Sequence, residues 1–224
     1  MRETVERNAS LHGDLWQTKP SDRFVLRWIK VHLSSRITPR LLDWEWLEPW
    51  MITLSSLFVA MTAGLSFAFG YGGAAGTLAA CAQVLDGVDG QFARITGRQS
   101  KGGAFWDSVL DRYADGAMMI GLVIYLMRSP GMIPSWLILL LAYFALTGSN
   151  LVSYSSARAE SLKIDLGRPT LASKGSRTTV MILAAWASVF WPQVPLIALA
   201  YLALHPNAVV AGRLARTLRT SDPP

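Results

Sequence analysis

Asp86 and Asp89 lie three residues apart, and Asp107 and Asp111 four apart, each pair inside an otherwise apolar stretch of this 224-residue chain. Either spacing puts a pair on one face of a helix. Ionisable groups at membrane depth cost about 2.5–3.5 kcal/mol each on insertion scales, so they usually face a cavity and do something there. The connecting stretch, Ile95 to Gly102, is short and basic. It predicts two antiparallel neighbouring helices with both aspartate pairs at similar depth, so that four carboxylates converge. Such a group cannot ionise fully without a counter-charge, and a divalent cation is the natural one. With no His or Cys beside them, the ligands form a hard set that favours Mg²⁺, Mn²⁺ or Ca²⁺ over Zn²⁺ or Cu²⁺. Mg²⁺ is usually held by a few carboxylates together with substrate phosphates, which points to phosphate-ester or pyrophosphate chemistry.

The neighbouring residues are small. Gly90 and Ala93 continue the Asp86 face, Gly103 precedes Asp107 by four, and Arg94 adds a cation at the rim. Absent side chains would let a bulky ligand approach the backbone. The competing reading pairs the aspartates with Arg94, Arg98, Lys101 and Arg112 in a buried ionic network, with the glycines serving only helix packing. Asp115 extends the ladder of Gly103, Asp107 and Asp111 by four more residues. It is read as a partner for Arg112 or a loop cation.

Positioning these groups falls to membrane helices. The chain is 51% apolar and only 16% charged, against roughly 25% charged in average globular proteins. No acid occurs in 49–85, 90–106, 116–159 or 166–221. This excludes a disordered chain, and a single cysteine, Cys81, excludes a disulfide scaffold. With about 20 apolar residues per crossing, the expected fold is all-α and polytopic, with six transmembrane helices near 48–70, 73–95, 104–127, 132–157, 177–192 and 195–212. The corresponding units are an N-terminal arm (1–46), a catalytic membrane domain (47–213) and a tail (214–224).

Lys and Arg accumulate in the arm, in the second-to-third and fourth-to-fifth connections and in the tail, whereas the opposite loops carry only Arg128. Both termini and the aspartates are therefore expected on the cytoplasmic side of the cell membrane. The net charge of +6 reads as a topology signal, with no nucleic-acid partner. Within the arm, Arg23, Arg27, Lys30 and Ser34 form one helical stripe, and Val25, Trp28, Ile29 and His32 or Leu33 another. This pattern suits an amphipathic helix in the headgroup plane with its basic side outward, or a helix docked on the bundle. Gly72, Gly76 and Ala79 suit close helix packing. His12, His32 and His205 are scattered, Cys81 reads as an inert helix residue, and Trp44, Trp46, Trp50 and Trp191 read as interfacial anchors.

Written out, Asp86-x2-Asp89-Gly90-x2-Ala93-Arg94-x8-Gly103-x3-Asp107-x3-Asp111 fixes eight positions over 26 residues. This resembles the signature of the CDP-alcohol phosphotransferases, membrane enzymes that displace CMP from a CDP-linked alcohol with the hydroxyl of a second alcohol. The resemblance implies that Asp86, Asp89, Asp107 and Asp111 hold one or two Mg²⁺ or Mn²⁺ ions, with Asp111 as general base. It implies that Asp86, Gly90, Ala93, Arg94 and Gly103 form the cytidine-diphosphate pocket, and that the protein is a homodimer, as family members commonly are.

The segment Ser153-Tyr154-Ser155-Ser156-Ala157-Arg158, followed by Lys174 and Arg177, resembles the acceptor-phosphate site of the family's inositol-phosphate-using members. Ser153, Arg158, Lys174 and Arg177 are the implied phosphate ligands. One departure is Ser156, where phosphatidylinositol-phosphate synthases tend to have Lys. The expected partners are thus a CDP-linked donor, favoured as CDP-diacylglycerol, a polyol phosphate acceptor, favoured as inositol phosphate, and membrane lipid. Residues 85–90 and 110–115 also resemble the di-myo-inositol-phosphate-phosphate synthase branch, which implies a soluble CDP-polyol donor. Glycerol phosphate is an alternative acceptor, and a divalent-cation transporter is the alternative outside enzymes.

Overall fold

A computed structural model describes residues 29–129, 131, 133–166 and 172–220, and these are helical with short connections and no strand. A π-helical turn, Lys30–Ser34, runs into α1 (Ser35–Leu41). Six longer helices follow: α2 (Pro49–Ala68), α3 (Gly72–Ile95), α4 (Lys101–Arg128), α5 (Ser135–Leu162), α6 (Lys174–Ala187) and α7 (Val194–Thr220). Each coincides with one of the six apolar segments. α7 continues to Thr220 without a break at 213.

Three of them, α2, α5 and α7 to Leu218, are long and apolar enough to cross a membrane. α3 carries two of the aspartates on a backbone of Gly and Ala, α4 carries three, and α6 has only 14 residues. The residues that would do the chemistry are thus among those that dilute the membrane signal. Phe58, Leu65, Ile120, Leu139, Tyr143, Phe144, Ile197 and Leu204 project outward and exposed, a surface that calls for a lipid solvent. The protein is a membrane protein.

Lipid supplies no hydrophobic drive for helices to associate, so small residues and close backbone approach must do it. α2 packs against both α3 and α4, α3 against α6, and α5 against α7. At the α2–α4 crossing a Cβ on Gly121 would lie 2.1 Å from the Gly64 carbonyl oxygen, and one on Gly64 2.3 Å from that of Ala117. Gly72 and Gly76 do the same for α3 against Ala185 and Trp186 of α6 and Ser188 just after it, as their spacing suggested. The core between these helices contains Phe67, Ala75, Ala79, Leu122, Leu126, Leu199 and Leu202.

Two expectations are corrected. α3 and α4 are not packed side by side: they scarcely touch, and α2 contacts both. The small residues that allow close approach lie on α2 and its partners, so the aspartate helices pack across α2 and leave a cleft. The last residue of the arm's basic stripe, Ser34, is also not outward. Ser34 is fully buried and donates to the Val84 carbonyl at 2.9 Å, while His32 and Leu33 are exposed. Buried Thr38 donates to Gln91 at 2.8 Å. From Ile29 onward the element is docked on α3, because its hydroxyls find buried acceptors there; Arg23, Val25, Arg27 and Trp28 lie outside the described residues.

Candidate active site

Local structure aims the carboxylates. Pro49 starts α2 at its first turn, where a missing N–H costs nothing. α3 ends in a turn through Gly97 at φ +67, a conformation that suits glycine. Ser100 then caps α4, its hydroxyl accepting from the Gly103 N–H at 2.9 Å. Below the cleft, Val88 and Phe92 pack with Leu47 and Ile52, which anchors α3 on both sides of Asp89.

Oxygens of Asp86, Asp107 and Asp111 lie within 4.8 Å of one another. Asp89 is buried but turned to α2, where Thr53 Oγ1 donates to its Oδ2 at 2.7 Å. The expected four-way convergence is therefore three carboxylates with a fourth held beside them, because a neighbouring hydroxyl claims Asp89. Three clustered carboxylates need cationic compensation, and Lys174 supplies it, donating to Asp86 Oδ1 at 2.7 Å and also to Asp111 Oδ1. Gln83, also buried, donates to Asp86 Oδ2 at 3.1 Å. A set of hard oxygen ligands that already gathers an ammonium fits a divalent cation.

Two arginines of the competing ionic network have partners other than the four aspartates. Arg98 reaches Glu48 at 3.3 Å and the Leu47 carbonyl at 2.8 Å, and Arg112 bonds the Ser108 carbonyl of its own helix. Asp115 pairs with Arg177 at 3.3 Å, the loop-cation outcome.

Beside the cluster lies a cavity of about 660 Å³ between α2, α3 and α4. Gly90, Ala93, Arg94 and Gly103 line it, together with Asp89, Asp107, Thr53, Trp50 and Trp106. Asp86, grouped with these in the sequence, is not on the wall. A Cβ on Gly90 would meet the Arg94 guanidinium at 3.4 Å, and one on Gly103 the capping Ser100 hydroxyl at 3.1 Å. Gly103 thus keeps space for the capping hydroxyl, whereas a Cβ at Gly90 would make ordinary contact.

The four suggested acceptor residues have separate partners. Lys174 is engaged by the aspartates; Arg177 is buried against Asp115 and the Ala172 carbonyl; Arg158 is exposed; Ser153 bonds weakly back to Ser149 at 3.4 Å. Sequence reading missed Arg213. Its Nη1 lies 2.7 Å from the Val152 carbonyl, 2.5 Å from Ser155 Oγ and 3.1 Å from Ser156 Oγ. A cation from α7 therefore stands beside the position where a lysine was wanting. Thr53 and Gln83 were also missed, since nothing in their spacing ties them to the motif.

Residues 46–219 match the CDP-alcohol phosphatidyltransferase family, and the chain belongs to that family of transferases. It is 30% identical over 188 residues to a phosphatidylinositol phosphate synthase of Cutibacterium acnes, covering 80% of this chain and 76% of that protein. It is 38% identical over 141 residues to a bifunctional IPC transferase and DIPP synthase of Aquifex aeolicus, covering 61% of this chain but only 30% of that longer protein. The fold is that of the Mycobacterium tuberculosis phosphatidylinositol phosphate synthase solved with CDP-DAG bound, with a TM-score of 0.71 at 24% identity over 82% of this chain and 92% of the other. The same enzyme in complex with manganese and citrate gives 0.73, also at 24% identity, over 84% and 90%.

Proposed function

We propose that the protein transfers a phosphatidyl group from CDP-diacylglycerol to a hydroxyl of inositol phosphate, releasing CMP and forming a phosphodiester for phospholipid biosynthesis. The observation that carries this reading is the adjacency of the Asp86–Asp107–Asp111 cluster to a cavity walled by Gly90, Ala93, Arg94 and Gly103. A diphosphate linking nucleoside and lipid would lie where cavity and carboxylates meet. The relatives support it: one solved neighbour is described with CDP-DAG, another with manganese.

Asp86, Asp89, Asp107 and Asp111 would hold one or two divalent cations, Mg²⁺ or Mn²⁺. Bound there, the metal supplies charge neutralisation of the pyrophosphate and of the departing CMP. Asp111 takes the proton of the acceptor hydroxyl as the new oxygen–phosphorus bond forms and the bond to CMP breaks. Arg94 binds the nucleotide at the rim. Arg213, with Arg158, Lys174 and Arg177, supplies the charge that binds the acceptor's phosphate, and Ser153 a hydroxyl donor. The reading places six helices across the cell membrane, both termini and the site on the cytoplasmic side, and two chains in a dimer. The catalytic domain is assigned to 47–213, between an N-terminal arm and a short tail.

The test is CMP release by purified protein in lipid nanodiscs. CDP-diacylglycerol is offered with inositol phosphate, glycerol phosphate, inositol or serine. Turnover restricted to inositol phosphate supports the proposal, and turnover restricted to another acceptor replaces it. The likeness to the bifunctional relative favours a second reading, a soluble CDP-polyol donor. CMP release from CDP-inositol, with silence toward CDP-diacylglycerol, would establish that one. The cation-transporter reading predicts instead metal flux into sealed vesicles without nucleotide.

A further inference from the structure

We propose that Thr53 is a positioning residue that orients the Asp89 carboxylate for metal binding. The inference rests on the reading of Asp89 as a metal ligand. Asp89 is buried with 6% of its surface accessible, and it stands outside the group of Asp86, Asp107 and Asp111, whose oxygens gather within 4.8 Å. Its Oδ2 accepts from Thr53 Oγ1 at 2.7 Å, a short bond of the charge-assisted kind.

The hydroxyl is itself constrained. Thr53 lies one turn into α2 and its Oγ1 is 3.2 Å from the Pro49 carbonyl. A threonine has few χ1 choices in a helix, and its single hydroxyl proton goes to the nearer Asp89 oxygen, with the Pro49 carbonyl left as a contact and not a second acceptor. Pro49, Thr53, Asp89 and Asp107 all line the same cavity. The backbone beneath Asp89 is fixed by buried Val88 and Phe92, so the freedom left to the carboxylate is rotation of its own side chain. Thr53 removes that freedom by holding one oxygen, leaving the other as the ligand atom. Hydrogen bonds from outside the ligand set typically govern metal affinity by about 10–100-fold.

Three variants in nanodiscs test this by direct Mn²⁺ binding, read from the free Mn²⁺ electron paramagnetic resonance signal, alongside the Mn²⁺ concentration giving half-maximal CMP release. Thr53→Val keeps the shape and loses the hydroxyl; it should weaken Mn²⁺ binding about 10–100-fold and raise the half-maximal concentration in parallel. Thr53→Ser keeps the hydroxyl and should stay within about threefold of the parent. Asp89→Asn is the reference for losing the ligand itself. Normal Mn²⁺ binding in Thr53→Val, with binding lost in Asp89→Asn, would overturn the role of Thr53. So would a Thr53→Ser variant as defective as Thr53→Val, because packing of the methyl group would then be the cause. Normal Mn²⁺ binding in Asp89→Asn would instead remove Asp89 from the ligand set, a separate failure. If Thr53→Val does not fold, Thr53→Ala, compared with Thr53→Ser, decides on the same criteria.

Discussion

Lys174 and Asp86, 88 positions apart in sequence, meet at 2.7 Å, and the same ammonium also bonds Asp111. One cation at the start of α6 thereby ties together the two aspartate helices, which scarcely touch each other. One turn further along α6, Arg177 pairs with Asp115 of α4 at 3.3 Å, a second link between α6 and α4. The cleft between α3 and α4 is closed by charge where helix packing leaves it open.

Replacing Lys174 should therefore disturb the carboxylate cluster. Breaking one partner of a largely buried, hydrogen-bonded charge pair costs about 2–5 kcal/mol. Lys174→Met is expected to lower kcat/KM by roughly 30-fold or more, at about tenfold per 1.4 kcal/mol. Initial rates of CMP release at saturating metal check this, and a parent-like rate would place Lys174 outside the reaction.

The proton-transfer role assigns Asp111 the largest effect on kcat. Asp111→Asn removes the base and should cost about 10²–10⁴-fold in turnover. Chelation with EDTA should abolish CMP release, and Mg²⁺ or Mn²⁺ should restore it while Zn²⁺ should not, since the ligands are hard carboxylates. Dialysis and metal re-addition, scored for CMP, provide the measurement. Activity that survives chelation would contradict the metal assignment.

Arg213 of α7 has Ser155 and Ser156 both within hydrogen-bond range of its Nη1, and the proposed function gives it the part of a lysine at position 156. Arg213→Gln should raise KM for a phosphorylated acceptor about 10–100-fold, corresponding to roughly 1.5–3 kcal/mol for a charged hydrogen bond. KM for the CDP-linked donor should change little. Separate titrations of donor and acceptor distinguish this from a general loss of fold, which would affect both.

The Gly64–Gly121 crossing carries a stability prediction. A side chain at 121 would strike the Gly64 carbonyl, a backbone atom with nowhere to go. Overpacking costs about 1–3 kcal/mol where neighbours yield, and more here, so Gly121→Val should lower Tm in detergent by at least about 5 °C. Gly73→Ala, whose Cβ would meet only Val189 Cγ2 at 3.7 Å, should be neutral or slightly stabilising. Equal melting of the two variants would refute the close crossing.

Local sequence was enough to place the helices and to group the aspartates of the motif. Six apolar runs became α2 to α7, and Asp86, Asp107 and Asp111 came together because helix periodicity fixes which residues share a face and a short loop brings consecutive helices back to the same end. Those are local rules. What the tertiary structure decided lies between elements distant in sequence: α2 bridges the aspartate helices, Thr53 claims Asp89, Lys174 rests on the carboxylates, Arg213 covers Ser156, and Ser34 is buried against α3. No spacing along the chain encodes these contacts, because each depends on how close two helix axes come. Here that distance is set by the missing side chains of Gly64, Gly72, Gly76 and Gly121.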